Sequence, residues 1–247
     1  MKHVDSDIKE IIKILESLGH TRGVESVFRD WCECAALAFA NGCDPLRGKT
    51  WERREKRYLD IIGRYGKDAA LFPDMLAHLT NAFETDPWQD HMGRIYMECF
   101  GGNKNLGQCF TPQAVCEVCA KLVDVPKDHE PHTLYEPACG GGAMIIAYLK
   151  ACHDAGYEYQ RLLKIYAADL DSLCCHMCYV QLSLLGARAT VAQQNTITLK
   201  TFDIFKTPME MLWPMTLCFG ETEEKQDENP DEIDPELYEI LYGVPKA

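Results

Sequence analysis

The stretch Leu134-Tyr135-Glu136-Pro137-Ala138-Cys139-Gly140-Gly141-Gly142-Ala143-Met144-Ile145-Ile146-Ala147-Tyr148-Leu149-Lys150-Ala151-Cys152 decides the fold. It opens with a short apolar and aromatic run, turns through three glycines, and continues with apolar residues at helical spacing (Met144, Ile145, Tyr148, Leu149). That order is strand, tight turn, helix. Backbone amides at the start of such a helix favour a carboxylate or phosphate in the turn, and glycines let the main chain approach a ligand closely. A Gly-rich turn alone does not identify its ligand; its neighbours do.

Working outward, the 247 residues are 47% hydrophobic, enough for one large domain or two small ones. No apolar run reaches membrane-spanning length, and the charged start, Met1 to Asp7, lacks the apolar segment of a secretory signal. Thirteen cysteines without such a signal read as reduced, buried thiols in a cytoplasmic protein, and the odd count argues against a closed disulfide framework. Net charge is −13, with ten acidic residues against two lysines in residues 221–247. By charge, nucleic acid is a disfavoured partner. The one basic cluster (Arg47, Lys49, Arg53, Arg54, Lys56, Arg57, Arg64, Lys67), interleaved with Trp51, Tyr58 and Tyr65, reads first as a solvated helix face and second as a nucleic-acid surface.

Nothing in residues 1–100 alternates with period two, so this stretch reads as all-helical. Asp5 or Ser6 caps a first helix with the stripe Ile8, Ile11, Ile12, Leu15, Leu18, which Gly19 stops. Further helices are expected over residues 24–40, 50–65, 68–83 (with a restart or kink at Pro73) and 88–99. Gly101-Gly102-Asn103-Lys104-Asn105 is the expected domain boundary, followed by a helix from Thr111-Pro112 to about residue 123. Strands are then expected at residues 134–135, 165–168 and 189–192, alternating with helices at 143–155 and 173–185. This is a parallel α/β pattern, whose ligands bind at the carboxyl ends of the strands. The chain therefore divides into a helical domain (1–102), an α/β domain (103–220) and an acidic tail (221–247).

The second strand runs into Asp169-Leu170-Asp171, one βα unit after the glycine turn, where an acidic residue accepts both ribose hydroxyls of a nucleoside. The third ends at Gln193-Gln194-Asn195, where a side-chain amide meets an adenine edge. Three successive strand ends thus offer groups suited to one adenosine-containing ligand.

Four segments carry a resemblance to a known family. Asp90-His91-Met92-Gly93-Arg94-Ile95-Tyr96 resembles an Asp-x-x-Gly-x-x-Tyr segment that closes a helical domain, and Gly107-Gln108-Cys109-Phe110-Thr111-Pro112 resembles Gly-Gln-Phe-Phe/Tyr-Thr-Pro. Glu136-Pro137-Ala138-Cys139-Gly140-Gly141-Gly142 resembles Asp-Pro-Ala-Cys-Gly-Ser-Gly. Ala168-Asp169-Leu170-Asp171 with Gln181-Leu182-Ser183-Leu184-Leu185-Gly186 resembles the ribose-binding strand end and its helix. Together, over about residues 5–200, these are similar to the adenine-N6 DNA methyltransferases of the type I restriction-modification methylation-subunit kind. The resemblance implies a class I S-adenosylmethionine (SAM)-dependent methyltransferase, Rossmann-like α/β sheet, incomplete here, behind an all-helical N-terminal domain. It implies SAM as cofactor, with Thr111 and the Gly140 region at the methionine carboxylate, Glu136 at the ammonium, Asp169 at the ribose, Leu170 on the adenine and Asn195 at its amino edge. Phe110, Ala138 and Cys139 complete the implied cofactor site, Cys139 as a small packing residue and not a nucleophile. Glu136 stands where the family has Asp, and Asn195 where Asp is common.

The family's catalytic Asn/Asp-Pro-Pro-Tyr/Phe tetrapeptide, which holds a flipped base, is missing: the sequence contains no Pro-Pro pair. Phe202-Asp203-Ile204-Phe205 resembles its lead-in but continues Lys206-Thr207-Pro208-Met209; a fourth strand at residues 215–219 is the alternative. Asp86-Pro87-Trp88-Gln89 and Asn229-Pro230-Asp231 read as turns. The chain also ends before the later strands and a target-recognition domain, so no catalytic residue is assigned. Cys116-x-x-Cys119 and Cys175-x-x-Cys178 have a zinc-like spacing but fall within expected helices, so they read as packed thiols and no metal site is expected.

Three readings follow. The first is a SAM-binding family member that methylates DNA adenine only when a partner protein or a remade motif supplies the base pocket. The second is a degenerate regulatory or anti-restriction protein whose acidic tail mimics DNA. The third is another SAM-consuming enzyme such as a lyase.

Overall fold

A computed structural model describes residues 2–101, 110–128 and 130–217. The Gly107-Gln108-Cys109 half of one motif, most of the expected boundary loop, Asn229-Pro230-Asp231 and the acidic tail lie outside the described residues.

Five helices come first: α1 (Lys2–Arg22), α2 (Val24–Gly42), α3 (Lys49–Tyr65), α4 (Leu71–Thr85) and α5 (His91–Phe100). The stripe Val4, Ile8, Ile11, Leu15 and Leu18 of α1 is buried, as its spacing dictates. Gly19 does not stop α1, which runs on to Arg22. A Cβ there would lie 2.5 Å from Val24 Cγ2, so the glycine permits the tight crossing into α2. The turn itself falls on Gly23, at φ +82°. Pro73 marks a restart: a 3₁₀ turn (Gly66–Ala70) precedes α4, and Pro73 sits in its first turn, where no helical N–H is lost.

The α/β part follows as α6 (Gln113–Leu122), β1 (His132–Glu136), α7 (Ala143–Asp154), the short α8 (Tyr159–Leu162), β2 (Leu163–Asp169), α9 (Ser172–Leu184), β3 (Arg188–Asn195), β4 (Lys200–Lys206) and α10 (Pro208–Leu217). The sheet order is β1-β2-β3-β4. β1, β2 and β3 are parallel, and β4 returns antiparallel on β3. The all-parallel expectation is thereby corrected to a mixed sheet. The cause is the short turn after Asn195, too brief for a parallel crossover. Residues 215–217, expected as part of an alternative fourth strand, belong to α10, with Pro208 at its first position.

α9 lies between the sheet and α2, and every residue from Leu173 to Leu182 is buried. One continuous core runs from Val4 in α1 to Phe205 in β4. The helical and α/β parts are therefore packed on each other, with α9 as the shared element.

The basic cluster is not simply a solvated face. Arg54 is buried, donates to the Ile204 carbonyl at 2.8 Å and lies over the Phe205 ring. Arg57 pairs with Asp203 and with Glu33, and Arg64 with Asp30 at 2.7 Å. Arg54 and Arg57 thus clamp β4 onto the helical part, joined by the more exposed Arg53, 3.6 Å from Asp203, while Arg47, Lys49 and Lys56 stay exposed.

His176 of α9 is buried edge-on against Phe205. Burial, with the Arg57 charge adding, pushes its pKa down to about 4, whereas Asp203 and Asp171 oppose the shift. An unfolded histidine titrates near 6.5, so this group favours the fold above that pH and the contribution is lost as pH falls toward 4. Denaturant titrations should show about 2 kcal/mol less stability near pH 5 than near pH 7 from this group. The His176→Gln variant should lack that part of the slope.

Candidate functional site

The glycine turn is built from three directions. From β2, the Ala168 carbonyl accepts the Cys139 N–H at 2.9 Å, and Asp169 Oδ2 accepts the Gly140 N–H at 2.9 Å. Within the turn, Gly142 N donates to Cys139 O at 2.8 Å. Gly140 (φ +52°) and Gly142 (φ +100°) occupy backbone conformations that side chains disfavour. A Cβ on Gly142 would also sit 3.2 Å from Cys178 Sγ. α7 begins at Ala143, directly after the turn.

Asp169 therefore faces the turn. Its Oδ1 accepts the Asp171 N–H at 3.0 Å, so each carboxylate oxygen carries one backbone bond and keeps capacity for a second. Leu170 beside it is 58% exposed, an apolar surface at the strand end. Glu136, half-buried at the end of β1, accepts the Ala138 N–H at 3.1 Å. Cys139 is buried, and the neighbouring Cys178 thiol together with burial holds its pKa well above the usual thiol range, which disfavours thiolate chemistry. Phe110 stacks edge-on against Tyr96, ring centroids 5.0 Å apart, and its ring lies 3.5 Å from where a Gly140 Cβ would be. Thr111 is exposed and, with Phe110, Asp90 and Gln113, lines a cleft of about 540 Å³ against α5.

Two expected placements look different in detail. The Gly140 amide is engaged by Asp169 rather than open to a ligand carboxylate. Asn195 Oδ1 accepts the amides of Ile197 and Thr198 at 3.1 and 3.0 Å, so its side chain caps the turn into β4. Six of the nine expected residues (Glu136, Ala138, Cys139, Gly140, Asp169, Leu170) lie at the ends of β1 and β2. Phe110 covers the turn, Thr111 faces the cleft, and Asn195 lies one strand further on.

The reading missed Gln181. This α9 residue is fully buried; its Nε2 donates to Gly141 O at 2.7 Å and to Asp90 Oδ1 at 2.8 Å, and its Oε1 accepts Met92 N at 3.1 Å. Asp90 caps α5 through Gly93 N at 2.8 Å, and burial raises its pKa. The signal was available: a lone amide in a helix apolar on every side needs partners. The Asp-x-x-Gly-x-x-Tyr segment gains a physical reason too. A Cβ on Gly93 would fall 2.0 Å from Asp90 Oδ2, and Tyr96 supports Phe110.

Asp86 and Trp88 form a turn, Asp86 Oδ1 accepting Trp88 N at 3.3 Å. The Phe202–Phe205 lead-in is a strand, but it runs the other way. Asn195 pairs with Lys200 and Thr190 with Lys206, so Thr207-Pro208 emerges at the end of the sheet opposite the glycine turn. The two CxxC pairs sit on separate helices, α6 and α9, and among the described residues no three metal-ligating side chains converge. The described cysteines are free thiols, and no described helix is long and apolar enough to cross a membrane.

The fold is of the class I SAM-methyltransferase-like α/β kind, a mixed four-strand sheet with N-terminal helices. The sequence profile of the family described as N-6 DNA Methylase matches residues 88–225, more than half of the chain, and the chain belongs to that family. The methylase subunit of the type I restriction enzyme MjaIX from Methanocaldococcus jannaschii is 24% identical over 152 residues, 57% of this chain and 26% of that protein. The chain thus spans about a quarter of the length of this curated relative. Among solved structures, one from Vibrio vulnificus YJ016, described as a modification subunit of a type I restriction enzyme, matches at TM-score 0.47 and 12% identity, covering 78% of this chain and 56% of that one. Another from Listeria monocytogenes, described as a class I SAM-dependent methyltransferase, matches at TM-score 0.41 and 12% identity, covering 76% and 53%.

Gly93→Ala should lower stability by about 1–3 kcal/mol, because its methyl meets a buried carboxylate. Gly63→Ala, in an exposed part of α3 with nothing near its Cβ position, should instead add about 0.5–1 kcal/mol. Denaturation midpoints of the two variants check the contrast.

Proposed function

We propose that the glycine turn and the Asp169 strand end hold SAM, and that methylation of DNA adenine requires a base pocket supplied by a partner protein. The observation that carries this reading is Asp169, its carboxylate set against the Gly140 amide with acceptor capacity left for ribose hydroxyls. The turn also fits the group. The exposed Leu170 offers an apolar face to an adenine, while the Cβ positions of Gly140, Gly141 and Gly142 are filled by Phe110, by Met177 with Asp90, and by Cys178, which fixes the shape of the turn beside it. Glu136 would take the ammonium and Phe110, Thr111, Ala138 and Cys139 would complete the methionine end, with Asn195 nearer the base. Bound there, SAM supplies an electrophilic methyl group; this chain's residues bind it and orient it.

Sheet direction supports the partner requirement. The segment most like the lead-in to the base-holding tetrapeptide ends away from the turn, and the sequence has no Pro-Pro pair. The strand order of the described sheet also stops at β1, the strand that leads into the turn. In doubly wound sheets the ligand crevice lies where the strand order reverses, beside such a strand. The relative from Methanocaldococcus jannaschii is called a methylase subunit of a type I restriction enzyme, and the word subunit favours a reading in which this chain acts with another.

The second reading, a regulatory protein without its own catalysis, draws on the net charge of −13, which opposes direct DNA binding. Methyl transfer from labelled SAM to adenine-containing DNA, assayed with the proteins that co-purify with this chain, separates the two: transfer there supports the first reading and none supports the second. No transfer is expected from this chain alone, and transfer by it alone would overturn the partner requirement. By titration calorimetry, Asp169→Ala should weaken SAM binding by roughly 1–3 kcal/mol; unchanged affinity would remove the site from this strand end.

A further inference from the structure

We infer that Gln181 is a positioning residue through which the helical part of the molecule sets the glycine turn, and with it the affinity for SAM; this rests on the reading of the turn as the SAM site. Every residue of α9 from Leu173 to Leu182 is buried, and Gln181 is fully so. An amide in that position needs partners for its donors and its acceptor, since an unmatched buried polar group destabilises the fold. It finds them on two different parts of the chain. The Nε2 donors reach Gly141 O in the turn and Asp90 Oδ1 at the cap of α5, and Oε1 receives Met92 N from the first turn of α5.

The grip is tight on both sides. A Cβ on Gly141 would lie 3.2 Å from Met177 Cε and 3.4 Å from Asp90 Oδ1, so the turn has little freedom to move independently of α5 and α9. The next residue back, Gly140, gives its N–H to Asp169. A displacement of the α5 N-terminus is therefore passed through one amide to the turn and on to the carboxylate that would meet the ribose. Of the side chains of this size, only glutamine brings two donors and an acceptor in one plane. Glutamate has the shape but, when ionised, lacks the donors and faces Asp90 with a like charge. Methionine has the length and lacks all three bonds.

That difference gives a pH signature. Around Asp90 and Gln181 stand His91 and Arg94 of α5, Asp86 before it, Cys178 of α9 and Cys116 of α6. The wild-type profile is the control for all of them. In Gln181→Glu, one proton shared between the two carboxyls restores a donor, so weakened binding should recover in acid.

The experiment measures SAM affinity by calorimetry at about pH 8 and about pH 5.5 for wild type, Gln181→Glu and Gln181→Met, with circular dichroism confirming the folded state. Expected for Gln181→Glu is a loss of about tenfold or more at the higher pH, recovering to within about threefold of wild type at the lower. Gln181→Met should be weak at both. Folded variants that bind SAM as wild type does at both pH values overturn the inference and leave the SAM site standing. A wild type that does not bind SAM defeats the underlying reading first. Should both variants fail to fold, hydrogen exchange on the wild type decides. SAM should slow exchange in the turn and also at the Met92 and Gly93 amides, and protection confined to the turn overturns the coupling.

Discussion

A single buried amide holds the arrangement together. Gln181 ties a loop of the α/β sheet to the capped end of a helix from the other half of the chain, using its donors and acceptor in full. Around it the packing leaves no slack: Gly93 has no room for a side chain beside Asp90, and Gly141 is enclosed by Met177 and Asp90. Such a buried polar cluster in an apolar interior favours one relative position of its parts, because other positions strand more polar groups away from water. The turn is consequently as much a product of the N-terminal helices as of the strands that flank it.

A second set of bonds does for the far edge what the amide does for the turn. Arg54 and Arg57 reach from α3 to the backbone of Ile204 and the carboxylate of Asp203, fixing β4 in its antiparallel return. That return fills the outer side of β3 and sends the chain back to the opposite end of the sheet. Thr207, fully buried, completes the edge by bonding the Ala187 carbonyl at 2.7 Å. The N-6 DNA methylase family membership of the chain thus coexists with a described sheet in which three parallel strands end on the side of the glycine turn.

Much of this was legible in the sequence. The glycine turn, the three parallel strands and the helices α1–α7 and α9 follow from periodicity and glycine placement, because each buries a face that its own residues define; the one-turn α8 had no such signal. Asp169 was legible as well, since its position after the second strand dictates its direction. What escaped depends on distant partners. β4 carries Phe202, Ile204 and Phe205 without clear alternation, and its direction is fixed by a short turn capped by Asn195 and by arginines about 150 residues earlier. The basic cluster looked like a surface because the carboxylate it serves lies so far along the chain. Gln181 was quoted only as the start of a helix motif and given no role, where its polarity in an apolar helix was itself the signal.

The inward turn of those arginines bears on how this molecule meets others. With part of its positive charge engaged internally and a net charge of −13, the long-range field toward any polyanion is repulsive. Encounter with such a molecule would speed up on adding salt, the reverse of the usual behaviour of proteins that meet nucleic acids by electrostatic attraction. A positively charged protein docking first would invert that field.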